Sequence, residues 1–127
     1  MKSPNLLLIE DNPSNSELFA DLLANTGASV QTARTAEEGI RLAIGQQPDL
    51  ILMDISLPGL DGLAATKFLK QDQATAHIPI LALTAHAFPG DRDKTLAAGC
   101  AAHFTKPINT REFAGKVLSF LPASARC

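Results

Sequence analysis

Short apolar runs recur along this chain at wide intervals, and stretches of helical period fill the spaces between them. LLLI (residues 6–9), LILM (50–53) and IPILAL (78–83) are apolar almost throughout and too short for helices, which reads as strands buried on both faces. SVQTA (29–33) alternates Val30 with polar neighbours as an edge strand would, and AAHF (101–104) supplies a fifth strand. Parallel strands need crossover connections, and the intervening segments provide them. Leu18, Phe19, Leu22 and Leu23, then Ala36, Ile40, Ala43 and Ile44, and later Phe113, Val117, Phe120 and Leu121 each recur at helical spacing. The pattern predicts βα repeats around a parallel sheet.

Three helix starts carry capping signals: Ser14 with Glu17, Thr35 with Glu38, and Asn109 with Glu112. GDRDKTLAAG (90–99) offers only Leu96 and small alanines as an apolar face, so a short, loosely held helix is expected there.

With 127 residues and 46% hydrophobic content, the chain is the size of one domain, 1–127, with a core at about 5–121 and a short C-terminal tail at 122–127. The formal net charge is −2, no basic block is present and Phe is the only aromatic, so no footprint for nucleic acid is visible. Cys100 and Cys127 form no metal-like spacing; Cys100 reads as a small packing residue, and His77 as a surface residue. The apolar run near the N-terminus is too short for a signal peptide or a membrane span, and a soluble, cytoplasmic protein with no membrane partner is expected.

In a doubly wound sheet, residues that follow each strand gather at one edge, and a ligand crevice lies outside those carboxyl ends. Glu10 and Asp11 follow the first strand, Asp54 the third, Thr84 the fourth, and Lys106 with Pro107 the fifth. Carboxylates about 5 Å apart repel by roughly 3 kcal/mol per pair at an effective dielectric near 20. Three such pairs approach the ~5 to 15 kcal/mol by which a whole domain is stable. A Mg2+ ion would relieve this, because it favours a few carboxylates, keeps several waters and takes further oxygens from a phosphoryl group. Asp54 is then available as a nucleophile forming an acyl phosphate, with the Lys106 ammonium and the Thr84 hydroxyl beside the phosphoryl oxygens.

These residues carry a resemblance. LLLIEDN, LMDISLPGLDG, ALTAHA and FTKPI, in this order after successive strands, resemble the CheY-like receiver domains of two-component response regulators from about Leu6 to Leu121. TAHIPILALTAHAFPGD followed by AGC is similar to stand-alone cell-cycle and polarity regulators of the DivK kind. The resemblance implies a flavodoxin-like three-layer (βα)5 sandwich with strand order 2-1-3-4-5. It also implies Mg2+ bound by Glu10, Asp11, Asp54 and the Ser56 backbone carbonyl, and phosphorylation of Asp54 by a sensor histidine kinase or a histidine phosphotransfer protein. Thr84 and Lys106 would contact the phosphoryl group, the Lys106–Pro107 bond would be cis, and Ser56 and His86 would tune dephosphorylation. The switch aromatic of the family is replaced here by His103. Such a domain is a phosphoacceptor acting only on itself rather than an enzyme with turnover. Its signal is expected to leave through the face made by the fourth helix, fifth strand and fifth helix, from a monomer or a weak phosphorylation-linked dimer.

Other classes fit less well. A Mg2+-dependent aspartyl phosphohydrolase would place its nucleophile after the first strand in a DxD arrangement, which EDN lacks. An FMN binder would need hydroxyls and amides where this first loop has acids, and no Trp or Tyr is present to stack on a flavin. A degenerate receiver binding partners without phosphorylation is disfavoured by the intact acid set.

Overall fold

The computed structural model describes residues 4–55, 62–84, 91–105 and 110–121. Strands and helices alternate: β1 (Asn5–Ile9), α1 (Pro13–Ala24), β2 (Ser29–Ala33), α2 (Ala36–Gln46), β3 (Leu50–Asp54), α3 (Gly62–Gln71), β4 (Ile80–Thr84), α4 (Asp91–Ala98), β5 (Ala102–Thr105) and α5 (Thr110–Ser119). The strands form one parallel sheet in the order β2-β1-β3-β4-β5. The core of β1 and the whole of β3 are buried, as strands sandwiched between two helical layers must be, while β2 at the edge exposes most of its residues. Leu6, Leu8, Leu50, Leu52, Leu81 and Leu83 pack against α1 and α5 on one face, and Leu7, Ile9, Ile51, Met53, Ile80 and Ala82 pack against α2 and α3 on the other.

Several sequence expectations need correction. The fourth strand begins at Ile80, not at residue 78: Pro79 has no N–H to give to a ladder, and the Ile78 amide instead closes a turn on the Thr75 carbonyl. Helix α3 carried no recognised stripe, because its buried residues are Gly62, Ala65, Thr66 and Leu69, only one of them large and apolar. The helical stripes were drawn one residue too wide, since Leu18, Ile44 and Phe120 are exposed. In α4, Thr95 and Ala98 face inward, whereas Leu96 is rotated about 100° away and is 40% exposed. Helix α4 is short, at 8 residues.

The caps show the same mixture. Thr35 caps α2, accepting from the Glu38 amide, and Glu38 accepts in return from the Arg34 amide. For α1 the cap is Asn12 rather than Ser14: its side chain accepts from the amides of Ser14 and Asn15, and Pro13 occupies the first helical position, where a missing N–H costs nothing. Asn109 and the tail at 122–127 lie outside the described residues.

Candidate functional site

Parallel pairing in step is what builds the acidic cluster. The β1–β3 register runs from Leu6↔Leu50 to Ile9↔Met53, so the next residues, Glu10 and Asp54, leave the two central strands side by side. Neighbouring strands lie about 4.8 Å apart. The extended chain continues past each strand end, with the Glu10 amide donating to the Ala33 carbonyl at 2.9 Å and the Ile55 amide to the Leu83 carbonyl at 3.0 Å. Asp11 follows directly. One carboxylate oxygen from each of Glu10, Asp11 and Asp54 lies within 4.8 Å of the other two, the one such group among the described residues.

Burial sharpens the electrostatics. Glu10 is 1% and Asp54 3% exposed, whereas Asp11 is open to solvent. Burial weakens the screening between these two carboxylates, and a cation near all three oxygens would relieve their repulsion. The Asn12 amide approaches a Glu10 carboxylate oxygen at 3.4 Å. Three hard oxygen donors at this spacing suit a small divalent cation that keeps part of its hydration shell.

Of the other site residues, Thr84 ends β4, one step beyond Leu83, which is the register partner of Asp54. Ser56, His86, Lys106 and Pro107 lie outside the described residues. His103 sits on β5 opposite Ala82, half-buried, with Nδ1 3.0 Å from the hydroxyl of the fully buried Thr95 on α4. A β5–α4 contact thus occupies the position expected for the switch side chain. His77 is exposed, and Cys100 is a buried, unbridged cysteine just past α4, as the sequence suggested.

Behind the cluster, α3 carries one hydroxyl bond within its own turns and is tied down at its C-terminal end. The Thr66 hydroxyl donates to the Gly62 carbonyl at 2.8 Å and the Thr75 hydroxyl to the Leu69 carbonyl at 2.6 Å. Lys70 Nζ donates to the carbonyls of Ala76 and Ile78 at 3.0 and 2.7 Å. Burial pushes the Lys70 ammonium down, opposed by the nearby Cys100. Burial likewise pushes the Cys100 thiol up, opposed by its hydrogen bond with Thr66 and by Lys70. Gly99 ends α4 at φ +113°, a backbone state that favours glycine, and a Cβ there would strike Lys70 Cγ at 2.7 Å. Sequence reasoning passed over Gly62, Thr66 and Lys70, for which periodicity gives no signal. Asn12 was discoverable, since Asn followed by Pro is a helix start.

No helix among the described residues is long and apolar enough to cross a membrane. The polar-differentiation response regulator DivK of Brucella ovis is 41% identical over 117 residues, covering 92% of this chain and 95% of its own. The receiver domain of a sensor histidine kinase from Pseudomonas aeruginosa, solved with a magnesium ion in its active-site cleft, superposes with a TM-score of 0.85 at 34% identity, covering 94% of this chain and 98% of its own. Chemotaxis protein CheY4 of Vibrio cholerae shares the fold at a TM-score of 0.88 and 23% identity, covering 94% of this chain and all of its own. Residues 6–118 match the response regulator receiver domain, and with the strand order and the sequence kinship this means that the chain belongs to the receiver domain family of two-component signalling.

Proposed function

We propose that the protein is a cytoplasmic response regulator whose residues 6–118 form a receiver unit, in which Asp54 is the phosphoacceptor. The observation that carries this reading is the meeting of Glu10, Asp11 and Asp54 within 4.8 Å at the carboxyl edge of the sheet. An Asp54 carboxylate oxygen attacks the phosphorus of a phosphohistidine on a sensor kinase or phosphotransfer protein. The P–N bond breaks, the imidazole leaves and takes up a proton, and an acyl phosphate remains on Asp54. Glu10, Asp11, Asp54 and the Ser56 carbonyl would hold Mg2+, which supplies positive charge to the phosphoryl oxygens during transfer. Thr84 donates its hydroxyl to one of those oxygens and Lys106 pairs with another, while Ser56 and His86 control the approach of the water that later removes the group.

Movement of Thr84 toward the phosphoryl group is transmitted to His103, and so to the contact between β5 and α4. A downstream protein reads the α4–β5–α5 face, through a monomer or a weak phosphorylation-linked dimer. The chain catalyses only its own phosphorylation and dephosphorylation, with no direct nucleic-acid or membrane partner.

Intact mass after incubation with Mg2+ and acetyl phosphate tests the reading, with wild type and Asp54→Asn in parallel. One phosphoryl group is expected on the wild type and none on the variant. No addition to the wild type, beside a responsive receiver as control, would turn the assignment toward a phosphorylation-independent binding module.

A further inference from the structure

Helix α3 starts by setting its backbone directly on the end of β3. A Cβ on Gly62 would lie 2.5 Å from Ile55 Cα, 2.7 Å from the Asp54 carbonyl oxygen and 3.2 Å from the Asp54 carbonyl carbon. All three are main-chain atoms, so no rotamer change relieves the overlap, and either the helix or the strand end has to move. The far end of the helix is held in place. Leu69 is fully buried, Thr75 ties the Leu69 carbonyl, and Lys70 lies across Gly99 and holds two carbonyls of the following turn. The overlap therefore falls on the junction between the start of α3 and the end of β3, and that junction carries Asp54.

We infer that Gly62 is a positioning residue: the close approach of its Cα to the Asp54–Ile55 backbone sets where the Asp54 carboxylate stands relative to those of Glu10 and Asp11. This rests on the phosphoacceptor reading above, and it names a residue outside the acid set on which cation binding and phosphoryl acceptance both depend. Gly62 has no positive φ, so the demand at this position is for space rather than for an unusual backbone conformation. Gly45 on α2 makes a clean contrast, because a Cβ there would meet nothing within 4 Å.

The test compares Gly62→Ala, Gly45→Ala and Leu69→Ala with the wild type. Three quantities are measured on each: thermal stability, Mg2+ affinity of the unphosphorylated protein by calorimetry, and the rate of phosphoryl addition from acetyl phosphate. Gly62→Ala is expected to lose on the order of tenfold or more in both affinity and rate, since a misplacement near 1 Å costs about a hundredfold in a positioned reaction. Leu69→Ala, which opens a cavity under the same helix, should lower the melting temperature while leaving the folded protein's affinity and rate unchanged. Gly45→Ala should leave all three intact or raise the melting temperature. Adding Lys70→Met to Gly62→Ala releases the far end of α3 and should restore part of the affinity, which also keeps the test alive if the single variant does not fold. Wild-type affinity in folded Gly62→Ala, equal losses in Leu69→Ala, or a double variant that fails to recover or to fold would each overturn the inference. If the wild type accepts no phosphoryl group, the phosphoacceptor reading fails, and the Mg2+ titrations still decide the positioning claim.

Discussion

On the α1/α5 side of the sheet the helices supply the bulk; on the α2/α3 side the sheet does. Phe19, Leu23, Phe113, Val117 and Leu121 press onto a leucine surface on the first side, with the Phe113 ring 5.3 Å from Phe19 and 5.9 Å from Phe104. On the second side Leu7, Ile9, Ile51, Met53 and Ile80 project outward, and apart from Leu69 the fully buried helical residues that meet them are small: Ala36, Ala43 and Ala65, with Gly39 and Gly62 where an added Cβ would clash. Large interdigitating side chains contribute much burial and adjust to small displacements. Small residues let the helix backbone come close: Gly39 faces the Ile9 side chain, and Gly62 faces the Asp54–Ile55 main chain, where a displacement has nowhere to dissipate. Both layers bury a core, and the second also sets its backbone on the strand end that carries Asp54.

The largest effect expected is on the first layer. Phe113→Ala should cost about 3–5 kcal/mol in urea denaturation, as removal of a fully buried aromatic does, and leave Mg2+ affinity unchanged while the protein is folded. A fall in affinity alongside stability would erase the division of labour. The acid cluster between the layers comes next. Measured with a chelator present, Asp54→Asn should raise stability by about 1–3 kcal/mol through relief of repulsion with Glu10 and Asp11, and it should remove the stabilisation that Mg2+ gives the wild type. An unchanged or lower metal-free midpoint would contradict the strain at the cluster.

The smallest effect belongs to Cys100 in the second layer, and it is a matter of pH. Burial keeps its thiol protonated above the ordinary 9.0, at which the unfolded chain ionises, so the native state holds the extra proton and stability falls as pH climbs past that value. Lys70, pushed below its ordinary 10.5, works in the opposite sense, because there the unfolded chain holds the extra proton. Cys100→Ala should therefore flatten the alkaline decline, and a melting-temperature series across roughly pH 8 to 10 checks it. An equally steep decline in the variant would show that the thiol carries none of it.

The sheet was legible because strands buried on both faces write themselves as unbroken apolar runs, and the acids were legible because they stop those runs abruptly. Helix α3 was not, for the reason that makes it useful: a helix that must approach closely is built from Gly62, Ala65 and Thr66, and small residues leave no hydrophobic period to detect. Leu96 misled in the opposite way, since a lone leucine among polar residues suggests an anchor, yet Thr95 takes the inward position and meets His103 there. The start of β4 was misplaced because Ile78 is as buried as a strand residue while its amide serves a turn. Burial and strand pairing coincide often, but only pairing defines a strand.

The register Ile9↔Met53 carries one more consequence. Glu10 and Asp54 stand at the ends of strands separated in the chain by α1, β2 and α2, so their carboxylates become neighbours only once β1 and β3 have paired across them. Nascent or partly unfolded chains hold the same acids but no cluster, and a cation that prefers the assembled trio favours the native chain by mass action. Competence to receive a signal is in this way a certificate of completed folding, issued by the innermost strand pair of the sheet.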